Sequence, residues 1–122
     1  MGANDASGER NCMSFNQGDI IKFNFDPTIG HEQSGYRPAI VISHKLFNSK
    51  FGQVVVCPIT SKAHPYPTRV ELSKNSITQG YIICDHIKTI DLNARKPVFV
   101  EHISESILLR VLAIINSIIE LE

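Results

Sequence analysis

The chain has 122 residues, 43% of them apolar and 20% charged, with a formal net charge of zero. That length holds one domain with a single modest core, and the composition is that of an ordinary globule, which excludes disordered and collagen-like chains. Zero net charge argues against a nucleic-acid partner, but ten bases and six acids lie between Met13 and Pro97, against one base and four acids beyond. A solvated mixed-charge surface accounts for that excess equally well.

Residues 1–12 (MGANDASGERNC) are small and polar, without the apolar segment of a secretory signal. They read as a flexible N-terminal extension or an expression remnant, with Met13 as an alternative start and a single domain over 13–122. Apolar residues then alternate at Ile21, Phe23 and Phe25, a strand pattern. The thirteen residues from Asp26 to Pro38, DPTIGHEQSGYRP, are expected to form a loop. Hairpin connections ordinarily take about two to five residues, and one so long and polar is more often functional than a mere link.

Short β-branched runs follow at Ala39–Ser43, Gln53–Ile59 and Thr68–Leu72, then Tyr81–Asp85, Ile87–Ile90 and Pro97–Ile103. Many short strands predict a small barrel or sandwich. At Ser104, a fair N-cap, the period becomes helical, and Glu105 suits the positive end of a helix. The predicted helix carries one apolar stripe at Ile107, Val111, Ile114 and Ile118, and a second at Leu108, Leu112, Ile115 and Ile119. Either a second partner surface or deep burial in the chain's own core explains so wide a sector. Arg110 and Asn116 interrupt this longest apolar stretch, which argues against a transmembrane helix.

Cys12, Cys57 and Cys84 form no C-x-x-C pair, so a disulfide framework is not expected and the compartment reads as reducing. Cys57 and Cys84 lie in apolar runs and are expected to be buried hydrophobes. The histidines at 31, 44, 64, 86 and 102 lack metal-ligand spacing, and no metal or other cofactor is indicated.

Five ordered segments resemble the MazF/PemK (ChpB, Kid) toxins, small endoribonucleases of toxin–antitoxin pairs. They are GDIIKFNF from Gly18, the Asp26–Pro38 string, CPITSK from Cys57, GYIICDH from Gly80 and KTIDLNAR from Lys88. The resemblance implies a mainly β fold, an SH3-like β-barrel with a C-terminal α-helix. It also implies a homodimeric, cytoplasmic mRNA interferase that cuts single-stranded RNA without metal and is silenced by a cognate antitoxin.

Such cleavage needs a base for the 2′-hydroxyl, an acid for the leaving oxygen and a cation for the charged phosphorane. Arg37 precedes Pro38 at a stiff strand start and could hold a phosphate through two donors; its alternative is a surface ion pair with Glu32 or Asp85. Thr60, after Pro58 and Ile59, is by itself an ordinary turn former. The resemblance assigns Arg37 and Thr60 the catalytic positions, with Ser61 and Lys62 as binding neighbours. In the PemK-like branch a histidine matching His31 and an aspartate matching Asp85 take acid–base roles, alongside an arginine where this chain has Ile83. The incomplete triad shifts weight to Arg37 and Thr60.

Loop residues Glu32, Gln33, Ser34 and Tyr36 are further RNA-binding candidates. Tyr36 and Tyr66 are the better stacking platforms, ahead of Phe47, Phe51 and Tyr81. Asn48 and Gln79 could read base edges, although turn formation explains both nearly as well. Two rivals stand beside this reading. A CcdB-like toxin would poison gyrase through apolar and aromatic C-terminal residues, but this chain ends Ile118, Ile119, Glu120, Leu121, Glu122. A plain RNA-binding barrel without turnover is the other.

Overall fold

The computed structural model describes residues 15–62 and 65–122, so the N-terminal extension lies outside the described residues. Among these described residues seven strands and three helices follow in order. They are β1 (Asp19–Asn24), β2 (Tyr36–Val41), α1 (Lys45–Phe51), β3 (Gln53–Thr60), β4 (Arg69–Glu71), β5 (Tyr81–Ile83), β6 (Lys88–Asp91), α2 (Leu92–Arg95), β7 (Val98–His102) and α3 (Glu105–Ile119). The pairings are antiparallel, in the order β4-β5-β3-β2-β1-β7, with β6 also on β3.

The expected mainly β architecture with a C-terminal helix is present, but the sheet does not close into a barrel: β4 and β7 end the hydrogen-bonded path. β3 changes partner midway. Its residues Gln53–Val56 pair with β6, and Ile59 and Thr60 pair with β5. β2 and β3 bury both faces in their inner halves, which is why they read as continuous apolar runs, whereas β1 alternates from Ile21 onward. Ile20, Ile40, Cys57 and Ile59 join one core, whereas Ile21, Ala39, Val41, Val54 and Val56 join the other. Phe23 and Phe25 stack in the second core with ring centroids 4.3 Å apart.

α3 starts as the sequence predicts, with the Ser104 hydroxyl accepting from the Ile107 amide at 3.4 Å. It buries Ile107, Val111 and Ile115 in the first core; each such side chain is worth about 1.5–3 kcal/mol. Leu108, Leu112 and Ile114 are partly buried, while Leu109, Ile118 and Ile119 are exposed. The helix is therefore neither sunk on all sides nor covered on its whole apolar sector.

Two helices escape the sequence pattern because both are short. α1 begins at an unusual cap, His44, whose Nδ1 accepts from the Leu46 amide, and ends at Gly52 in the left-handed region. α2 is capped by Asp91, which accepts from the Asn93 and Ala94 amides. The expected loop is also shorter than thirteen residues. Tyr36, Arg37 and Pro38 belong to β2, opposite Asn24, Phe23 and Lys22.

Candidate functional site

The loop between β1 and β2 has a closed neck. The Phe25 amide donates to the Gly35 carbonyl at 2.9 Å, and the Gly35 amide donates to Asp26 Oδ1 at 3.1 Å. Within the loop Glu32 Oε1 accepts from the Ile29 amide. Just beyond the neck, Arg37 Nε donates to the Ser34 carbonyl. Its terminal nitrogens have no hydrogen-bond partner among the described residues, and no ion pair ties it to Glu32 or Asp85. A guanidinium held by Nε and open at its fork can present two donors to a phosphate.

Thr60 ends β3. The β2–β3 ladder stops at the Ala39–Pro58 pair, because the next rung would need an amide hydrogen from Pro38, which has none. Continued two residues outward, the same register sets Arg37 opposite Thr60, on one face. Between them opens a cleft of about 200 Å³ lined by Glu32, Gln33, Ser34, Arg37, Thr60 and Lys62. Thr60 is only 3% exposed, and its hydroxyl accepts from the Lys62 amide at 3.2 Å. The turn role expected of such a threonine is thus real, and it leaves the hydroxyl proton for an acceptor in the cleft. Gly80 fixes the back of this residue: a Cβ there would lie 2.1 Å from the Thr60 carbonyl oxygen, at a φ of +123°.

Glu32 and Gln33 also line a second cleft, of about 240 Å³, with Phe25, Thr28, Pro58, Asp85, His86, Ile87 and Lys88. Asp85 therefore stands beside the Arg37–Thr60 cleft, not in it. His86 is a residue that sequence reasoning did not single out: its Nδ1 is buried without a hydrogen-bond partner among the described residues. The only sequence signal was its place in the GYIICDH segment. His31 is exposed on the loop and lines neither cleft.

The remaining candidates separate clearly. Tyr36, 59% exposed, carries the Lys22 ammonium 5.3 Å above its ring, and Tyr66, 63% exposed, carries the Arg69 guanidinium at 5.2 Å. Ser61 is exposed next to Thr60 but does not line the cleft. Asn48 is fully buried, and its amide donates to the carbonyls of Phe15 (2.9 Å) and Ser43 (3.2 Å). Gln79 is exposed, and its amide nitrogen closes the preceding turn on the carbonyls of Ser73, Lys74 and Ser76. The turn-forming alternative accounts for Gln79, whereas Asn48 sits inside α1 and ties that helix to its surroundings.

Cys57 and Cys84 are buried free thiols. Burial first, then the charges of Cys84 and Asp85, pushes the Cys57 thiol up to about 12; burial, then Asp85, pushes Cys84 up to about 11. Neither is a nucleophile near neutral pH. Among the described residues no group of three or more His, Cys, Asp or Glu side chains is placed to hold a metal ion. Nor is any helix among them long and apolar enough to cross a membrane.

Residues 16–119 match a family described as the PemK-like, MazF-like toxin of type II toxin–antitoxin systems. The chain is 41% identical over 78 residues to the endoribonuclease toxin MazF of Escherichia coli K12, covering 64% of this chain and 69% of that protein. It is 34% identical over 114 residues to the endoribonuclease PemK of Escherichia coli, covering 90% and 86%. In three dimensions it is similar to MazF from Deinococcus radiodurans, with a TM-score of 0.83 at 30% identity over 88% of this chain and 98% of that one. A MazE–MazF complex from the same organism gives 0.79 at 30% identity, over 89% and 98%.

Proposed function

The chain belongs to the PemK-like, MazF-like family of type II toxins, and from that premise we propose that it is an endoribonuclease cutting single-stranded mRNA in the cleft between Arg37 and Thr60. The observation that carries the site is the convergence of an open guanidinium, a hydroxyl and Lys62 on one small concavity.

The reaction fits those groups. The 2′-hydroxyl of the nucleotide preceding the scissile bond attacks phosphorus, the P–O5′ bond breaks, and the products are a 2′,3′-cyclic phosphate and a 5′-hydroxyl. Arg37 holds the non-bridging oxygens and stabilises the extra charge of the phosphorane, with the Thr60 hydroxyl and Lys62 as further donors. The second cleft, joined to the first through Glu32 and Gln33, is large enough for a neighbouring base, with Asp85 placed there to orient or to accept a proton. Tyr36 and Tyr66 offer exposed rings for stacking. The active form is a homodimer using the apolar residues that α3 leaves uncovered, and it works in the cytoplasm. A cognate antitoxin, an acidic segment with apolar anchors, occupies the Arg37–Thr60 cleft and excludes RNA.

The test is incubation of the purified protein with a mixed RNA pool in excess chelator, followed by mapping of the new ends. Cyclic or 3′-phosphate and 5′-hydroxyl termini in unpaired RNA support the reading. Dependence on added divalent metal, 5′-phosphate ends, or binding without cleavage would refute it.

A further inference from the structure

Arg95 ends α2, far from the loop in sequence, yet its Nη1 donates to the carbonyl oxygens of Asn24, at 2.9 Å, and of Asp26. Those two carbonyls flank Phe25, at the point where β1 gives way to the loop. The other strand of the neck is bonded to the same segment: the Gly35 carbonyl accepts from the Phe25 amide, and the Gly35 amide donates to Asp26 Oδ1. One residue before Gly35 is Ser34, whose carbonyl accepts from Arg37 Nε.

We propose that Arg95 is a positioning residue for RNA cleavage, fixing the loop neck so that the Ser34 carbonyl holds the Arg37 guanidinium at its cleft. The helix bearing Arg95 is itself anchored. Asp91 caps it, the Leu92 amide donates to the Gly52 carbonyl at 3.0 Å, and the Leu92 side chain is 1% exposed in the second core. Arg95 thereby links a rigid element to the root of an otherwise exposed loop. Nothing in this arrangement requires Arg95 to meet RNA. Its effect falls on the geometry of the charged transition state, where small misplacements of a donor are costly.

The inference rests on the reading of the Arg37–Thr60 cleft as the site of cleavage. Its test uses the full chain with Arg95→Met, Arg95→Lys and Arg37→Ala, the mapped RNA as substrate, and nitrogen-15 resonances of the arginine Nε–H groups. Arg95→Met should lower kcat by about ten- to a hundredfold with little change in KM, because the loss is confined to the transition state. The Arg37 Nε–H signal should shift and exchange faster with water as the Ser34 bond loosens. Arg95→Lys, whose ammonium can donate to the same two carbonyls, should recover most of both effects and covers the case in which Arg95→Met does not fold.

A raised KM with kcat kept would place Arg95 against phosphate directly and overturn the proposal, as would an unmoved Arg37 signal. The two failures are separable. If Arg37→Ala cleaves like wild type, the site reading falls; if Arg37→Ala is inactive while Arg95→Met is fully active, the positioning role alone falls.

Discussion

Arg37 and Thr60 lie on neighbouring antiparallel strands, each two residues past the Ala39–Pro58 pair at which the ladder stops, and both line the same cleft. Pro38, with no amide hydrogen for the next rung, ends the ladder where the cleft opens. Arg37→Ala should lower cleavage by about a hundredfold or more, the usual loss for a preorganised donor to developing charge. Thr60→Val, nearly isosteric at a buried position, should also reduce it strongly, and both variants should keep the wild-type circular dichroism. His31→Ala should cost much less, since His31 lines neither cleft. Initial rates on one oligonucleotide check all three, and a His31 loss matching that of Arg37 would restore the histidine to the catalytic set.

Asn48 supplies the converse case. Its buried amide ties α1 to the carbonyls of Phe15 and Ser43 and accepts from the Ser43 hydroxyl, which also receives from the Val55 amide. Asn48→Ala should destabilise the fold by about 1–3 kcal/mol in urea melts, by stranding those partners. Cleavage per folded molecule should be unchanged. A changed recognition sequence without lost stability would return Asn48 to the RNA-reading residues.

The sequence made the strands, the C-terminal helix and the Arg37 and Thr60 neighbourhood legible, for different reasons. Ile20, Ile40 and Val56 reveal strands because β-branched apolar runs between turn residues have few other uses. α1 and α2 stayed hidden because a helix of one or two turns shows no periodicity, and a histidine cap is not a strong signal. The expected loop runs to Pro38 because proline is a common turn residue, although it also fits the strand rung at which a ladder ends. The cleft partners of Thr60 could not be derived from spacing, since register across two strands brings them together. Residue pattern alone left Arg37 a surface ion pair; only the motif resemblance placed it at a site.

The exposed apolar end of α3 predicts self-association. Leu109 is 60% exposed, and at the C-terminal end of the helix Ile118 is 45% and Ile119 70% exposed. Ile115, by contrast, faces the core, so charge there would attack folding rather than assembly. Ile118→Glu combined with Ile119→Glu should convert a dimer to a folded monomer in sedimentation velocity at micromolar concentration. A wild type that sediments as a monomer would remove the dimer from the account.

The buried thiols give a pH signature. Unfolded cysteines ionise from about pH 8.5, whereas in the folded chain Cys84 and Cys57 do so only at about 11 and about 12. The folded state therefore binds more protons in that window, and stability falls as pH rises from about 8.5 towards 11–12. In a Cys12→Ser protein, neither thiol should react with iodoacetamide at pH 8 until urea is added. Rapid alkylation of the native protein would mean that the core opens there.

The most direct test of the central claim is cleavage of an RNA oligonucleotide carrying a single 2′-deoxynucleotide on the 5′ side of the mapped scissile bond. Attack by the neighbouring 2′-hydroxyl, stabilised by Arg37 and Thr60, requires that this bond stay intact while the all-ribose control is cut and Arg37→Ala cuts neither. Cleavage of the deoxy-substituted bond at the control rate would show that another nucleophile attacks phosphorus, and would contradict the proposed chemistry of the cleft.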